Sequence, residues 1–321
     1  MTLKVAMIGT GRIATMKLLP AIRKAGNAQL WSVLSRDKAR AAAIASEYGA
    51  ASPQPGHDNL DTLLADPDLD AVVIATPDKL HSEQAIAAAR AGKHVFCEKP
   101  MTTSLAEADA MIAACDQAGV KLGVAFHLRW HAGHRRLHQA VSDGLLGQLR
   151  HIRVQWSSMA PDDGNWRADT DVGKWWSLAG VGTHCLDQIL WFMEPTCGQV
   201  VEVKSLIARD VWKGPNDETA LISMKFASGA TADLCSSVVF AGPTQFELYG
   251  TEGFARGEDS VHITGEGRMW THQGDWDFTP VDPYQLEIED FAAAVSENRS
   301  PEVDGHMGRR NTSVLLQASD G

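Results

Sequence analysis

The sequence predicts an α/β domain built on a doubly wound parallel sheet, followed by an α+β domain whose open sheet is mainly antiparallel. Three observations carry this. Up to about Gly123, short apolar runs alternate with Ala-rich helical stretches. A glycine-rich turn joins the first run to the first helix, and after Val124 the apolar residues fall into longer runs of alternating polarity. With 321 residues, 44% of them hydrophobic, the chain exceeds the size that one core usually serves, so the reading is two domains, 1–123 and 124–321.

In chain order the first domain reads as a strand LKVAMIG, a helix from Met16 to Lys24, the strand LWSVL, a helix from Lys38 to Tyr48, the strand AVVIA, a helix from His81 to Ala91 and the strand HVFCE. Strands joined by crossover helices run parallel. Their lack of polar alternation fits a sheet covered on both faces. In the second domain HIRVQWSS, TALISMKF, ATADLCSSVVF and TQFELYG alternate, as strands with one wetter face do. Helices from Pro283 to Asn298 and from about Gly305 onward are expected to complete it.

Composition narrows the partners. A formal net charge of -11 without a local basic run argues against nucleic acid. No apolar window reaches the ~18 residues of a membrane span. The chain opens on a strand rather than a leader, so a cytoplasmic protein is expected. Five scattered cysteines, none in a CxxC pair, read as reduced thiols.

Gly9-Thr10-Gly11-Arg12-Ile13-Ala14 supplies the first chemistry. Between a strand and a helix, Gly9 permits a tight turn, Gly11 lets backbone amides approach a pyrophosphate, Ala14 allows close packing, and the helix N-terminus adds positive potential. Selectivity between the two nicotinamide dinucleotides lies after the second strand, which ends Val33-Leu34-Ser35-Arg36. Ser35 and Arg36, with Arg40 one turn on, suit the 2′-phosphate of NADP; Asp37 leaves NAD open as an acceptor for a ribose hydroxyl.

Ala75-Thr76-Pro77-Asp78, a helix containing His81, and then Gly92-Lys93-His94-Val95-Phe96-Cys97-Glu98-Lys99-Pro100 carry a resemblance. The chain resembles the glucose-fructose oxidoreductase / inositol dehydrogenase / MocA family, whose hallmark is AGKHVxxEKP after TPxxxH. The resemblance extends over FELYGTEG, at 246–253, and the helix DPYQLEIEDFAAAV. It implies a Rossmann domain followed by an open-faced sheet, with substrate held against the nicotinamide. It also implies assembly as a homodimer or homotetramer through that sheet. Thr76, Pro77, His81, Glu98 and Lys99 join the expected cofactor site. Lys99 takes the position of the family's catalytic lysine, at a strand end where an α/β crevice binds ligands.

The family's second signature, GGG followed after three residues by DxGxHxxD, is altered here. His184 and Asp187 match, Gly180 stands where the first aspartate is usual, and Lys174, Trp175 and Trp176 replace the glycines. His184 beside Lys99 still forms an acid/base pair, and Asp187 is expected to orient His184 or a backbone amide. Trp175 and Trp176 either stack on a sugar ring or fill core. Asn165, Trp166 and Arg167 are candidate wall residues, as are His127, which ends the strand KLGVAFH, and Arg129. The spacing of His127, His131, His134 and His138 raises a metal site, but the flanking Arg129, Arg135 and Arg136 oppose a cation, so no metal is expected.

The expected activity is hydride transfer between NADP, or NAD, and a hydroxyl or carbonyl carbon of a sugar, anhydrosugar or cyclic polyol. Lys99 and His184 are its catalytic residues. A dinucleotide-binding regulator without chemistry and an NAD-dependent glycoside hydrolase are the competing readings.

Overall fold

The computed structural model describes residues 2–160, 166–168 and 173–319. It divides into two compact units, one of residues 1–126 with 284–312, the other of 127–283 with 313–321.

The first unit is built on strands β1 (Leu3–Ile8), β2 (Ala28–Leu34), β3 (Gly56–His57), β4 (Ala71–Ile74), β5 (His94–Cys97) and β6 (Leu122–Val124). Their order is β3-β2-β1-β4-β5-β6 and every pairing is parallel. Between β1 and β4 the strand order reverses, which opens a crevice at the carboxyl ends of those strands. Helices α1 (Leu19–Lys24), α2 (Lys38–Glu47), α3 (Leu60–Leu64), α4 (His81–Arg90) and α5 (Leu105–Ala118) make the crossovers. The core holds Ile8, Val72, Ile74, Val95 and Val124, all strand residues with no exposed face. A wide turn at Ala14–Leu18 leads into α1.

Helix α8 (Pro283–Ser296) departs from expectation: from Tyr284 on it packs with the first unit. Phe291 tilts against Phe96 with ring centroids 5.2 Å apart, Glu289 accepts from Gly26 N and its carbonyl from Asn27, and Val303 O accepts from Val124 N. The apolar positions of α8 show that it buries a face but do not say on which sheet. That assignment comes from contacts more than 150 residues apart in the chain, as for Phe96 and Phe291.

The second unit holds β7 (Leu149–Ser157), β8 (Val200–Ala208), β9 (Thr219–Phe226), β10 (Thr231–Ser237), β11 (Gln245–Gly250), β12 (Phe254–Glu258), β13 (Arg268–Thr271) and β14 (Gly274–Asp275). The order is β14-β13-β12-β11-β7-β10-β9-β8; only β7 and β10 pair in parallel. One face packs against helices α6 (Ala132–Ser142) and α7 (Thr183–Cys197), with Ile152, Val154, Leu186, Ile189, Phe192, Phe226 and Phe246 in the core. The other carries the polar alternates Arg153, Asp233, Glu247 and Arg256 in a loose ion-pair lattice. Among the described residues no helix is long and apolar enough to cross a membrane.

Candidate functional site

In the first unit the glycine-rich turn leaves β1 with Gly9 at φ 104, and a Cβ there would lie 2.5 Å from Ala75 O. That position admits only glycine. At Gly11 an added Cβ would meet nothing within 4 Å, so the turn presents its backbone to open space, as a pyrophosphate cradle requires. Arg12 and Ile13 continue the turn, with the Arg12 Nε on Met16 Sδ at 3.3 Å.

Beside it lies a polar cluster. Thr10 Oγ1 donates to Ser35 Oγ at 3.2 Å, and Arg40 donates from Nε to Thr10 Oγ1 at 2.9 Å and from Nη2 to Thr10 O at 2.7 Å. Arg36 is exposed next to it. Asp37 is the N-cap of α2, accepting from Ala39 N at 2.9 Å and Arg40 N at 3.2 Å. Its Oδ1 is engaged in starting the helix.

The segment after β4 is braced by His81, whose ring nitrogens lie 2.9 Å from Thr76 O and 3.0 Å from Pro100 O. His81 thus sits between the turn after β4 and the Lys99-Pro100 turn, with one ring nitrogen near a carbonyl of each. Thr76 Oγ1 donates to Gln84, Pro77 begins the following turn, and Glu98 accepts from the Lys99 amide at 3.1 Å. Lys99-Pro100 is a cis peptide.

In the second unit His184 lies in the first turn of α7, surrounded by aromatic rings. His127 meets it edge-on at 4.5 Å between centroids, and Trp156 stacks on it at 5.6 Å. His127 Nε2 lies 3.3 Å from His262 O, and the His262 ring is 5.9 Å from Trp156. Trp156 and His262 carried no sequence signal, since a tryptophan on an alternating strand reads as core and His262 lies in an unremarkable turn.

Asp187 does not orient His184. Its carboxylate takes Nε and Nη2 of Arg129, the shortest contact 2.7 Å, both residues being buried. Burial pushes the Asp187 carboxyl up, and the guanidinium pulls it back. Nε and Nη2 of Arg129, a candidate substrate contact, serve this ion pair, and its guanidinium lies over the Trp191 ring. The remaining histidines diverge: His131 caps α6, His134 sits between Gln188 and Ser260, and His138 stacks on Trp191.

Trp175 belongs to the core cluster, and Trp176 is equally buried. Lys174 is exposed, with its ammonium 6.0 Å from the Trp175 ring. Arg167 O and Gly173 O are both held by the Asn216 amide. Trp166 lies in a short turn, Trp166–Ala168; its side chain and Asn165 fall outside the described residues.

Two family models match the chain: "Oxidoreductase family, NAD-binding Rossmann fold" over residues 3–126, and the GFO/IDH/MocA C-terminal domain over 134–256. The chain belongs to the GFO/IDH/MocA oxidoreductase family. Similar members include a 1,5-anhydro-D-fructose reductase from Ensifer adhaerens, 29% identical over 94% of this chain and 91% of that one. A D-xylose 1-dehydrogenase (NADP(+)) from Haloferax volcanii is 30% identical over 93% and 90%. Among solved structures, the aldose-aldose oxidoreductase of Caulobacter crescentus complexed with glycerol superposes with a TM-score of 0.91 at 25% identity, covering 99% of this chain and 96% of that one. The GFO/IDH/MocA assignment accounts for both sheets and for the cradle. At Gly180 a Cβ would meet nothing within 4 Å, so packing does not explain the absence of a side chain there.

Proposed function

We propose that this oxidoreductase prefers NADP, with NAD as a weaker alternative, and moves a hydride between the nicotinamide and a hydroxyl or carbonyl carbon of an aldose, anhydrosugar or cyclic polyol. One observation carries the cofactor choice: Thr10, Ser35 and Arg40 form a hydrogen-bonded cluster beside the cradle, whereas Asp37 commits its Oδ1 to the α2 cap and keeps only Oδ2 for a ribose hydroxyl. A cation and two hydroxyls recognise a 2′-phosphate, whereas recognition of the 2′-hydroxyl calls for an available carboxylate. The named activities of the Ensifer and Haloferax relatives support the substrate class.

The dinucleotide, when bound, supplies the hydride donor or acceptor. Lys99 then holds the substrate oxygen and exchanges its proton, so each hydride leaving carbon is matched by a proton leaving oxygen. His184, held between His127 and Trp156, assists in that exchange. Lys174, Trp176, Arg167, Trp166 and His127 are proposed to shape the sugar site, and Gly9, Gly11, Arg12, Ile13, Thr76, Pro77 and Glu98 to seat the cofactor. The protein works in the cytoplasm as a homodimer or homotetramer joined through the open sheet face. Absorbance at 340 nm with NADP and D-xylose or myo-inositol, or with NADPH and 1,5-anhydro-D-fructose, tests this. Turnover favouring NADP over NAD is expected. Dinucleotide binding without turnover on any of the three contradicts it and favours a regulator.

A further inference from the structure

Three consecutive residues in the loop before β9 are almost fully buried: Asn216, Asp217 and Glu218 are 4%, 2% and 1% exposed. Each grips a different stretch of chain. Asn216 donates to Arg167 O and Gly173 O, and Glu218 accepts from the amides of Val211, Trp212 and Lys213, which closes its own loop. Asp217 reaches the turn that starts the His184 helix: Oδ1 accepts from Trp176 N at 2.8 Å, and Oδ2 from Leu178 N at 2.8 Å and Ser177 Oγ at 2.5 Å. Its carbonyl also accepts from Ser177 N at 3.0 Å.

From there the chain makes a wide turn, Leu178–Gly182, and enters α7 at Thr183. The far end of this turn is fixed by close approach: a Cβ on Gly182 would lie 2.9 Å from Ser236 Oγ, the hydroxyl that also lies 3.0 Å from Ser177 Oγ. One end thus hangs on a buried carboxylate and the other rests on β10. His184 follows two residues after Gly182, so the pitch of the turn sets where the imidazole projects. A buried carboxylate is stabilised only by such donors, and burial still pushes the Asp217 carboxyl up.

We propose that Asp217 is a positioning residue for His184, acting through the Trp176–Leu178 turn; the proposal rests on reading His184 as a proton-exchanging group. The test uses full-length protein with NADP and whichever of D-xylose or myo-inositol it oxidises faster. Asp217→Asn places an amide N–H where a backbone N–H needs an acceptor, and kcat is expected to fall about 10- to 100-fold, the worth of one charge-assisted hydrogen bond. NADP affinity is expected to hold within about twofold, and in a His184→Gln background Asp217→Asn is expected to cost less than about twofold in kcat, because residues acting as a unit are not additive. Losses that multiply overturn the proposal, as does an unchanged kcat.

Should Asp217→Asn fail to fold, Ser177→Ala removes only the hydroxyl bond. A kcat loss of about threefold that vanishes in the His184→Gln background supports the proposal, and a loss that persists there overturns it. If His184→Gln alone leaves turnover intact, or if neither sugar is oxidised, the reading of the reaction fails on its own. The 15N spectrum of the His184 ring in Ser177→Ala then decides, shifted ring signals supporting the positioning role and unmoved ones overturning it.

Discussion

In the proposed reading, cofactor choice turns on Arg40. Its guanidinium already lies against Thr10, so it needs little rearrangement to meet a 2′-phosphate. Arg40→Ala is expected to raise KM for NADP about 10- to 100-fold, the loss of a charged hydrogen bond, and to leave KM for NAD nearly unchanged. Steady-state kinetics with both cofactors check this. The buried pair Arg129–Asp187 matters differently, because Asp187→Asn strands a guanidinium in the interior. About 3–5 kcal/mol of stability is expected to go, measured by urea unfolding. At this scale the sequence singles out GTGRIA, Ser35, Arg40, the EKP turn and His184, local motifs whose proposed chemistry follows from neighbours in sequence. Asp217 and Trp156 are not singled out, since their partners at 176–178 and 184 come near only on folding. Asp187 was misassigned for the same reason, its partner lying 58 residues away.

Among the elements, α6 carries its histidines inward. Burial holds the His131 and His134 rings below the usual imidazole range, His134 further, with the neighbouring His131 adding to the effect. A ring that stays neutral when folded but takes a proton when unfolded contributes stability that is present above the ordinary imidazole pKa and lost as pH falls below it. Unfolding free energy is therefore expected to drop below about pH 6.5, by about 1.4 kcal/mol per pH unit for each such ring. Urea midpoints at pH 7.5 and 5.5 measure it, and equal midpoints would show that these rings do not drive acid sensitivity. Strand and helix types were readable from periodicity for the elements named from the sequence, but β8, β12, β13 and α5 are not among them, and His127 opens a short helical turn where a strand end is expected. The packing partner of α8 was not, because an amphipathic pattern marks a buried face without naming what covers it.

For the whole molecule, the change from unalternated to alternating strands foretold two sheets of different character, and the structure has one all-parallel sheet and one with a single parallel pair. Leu206 and Leu221 are cross-strand neighbours on β8 and β9, and both are exposed. If assembly uses the open face of this sheet, as proposed, Leu221→Glu is expected to shift the protein toward monomer in light scattering. The central claim concerns Lys99. The most direct measurement is turnover by Lys99→Ala at saturating NADP and sugar, with NADP binding followed in parallel by quenching of tryptophan fluorescence. The account predicts a fall of about 100-fold or more with binding retained, and undiminished turnover would contradict it.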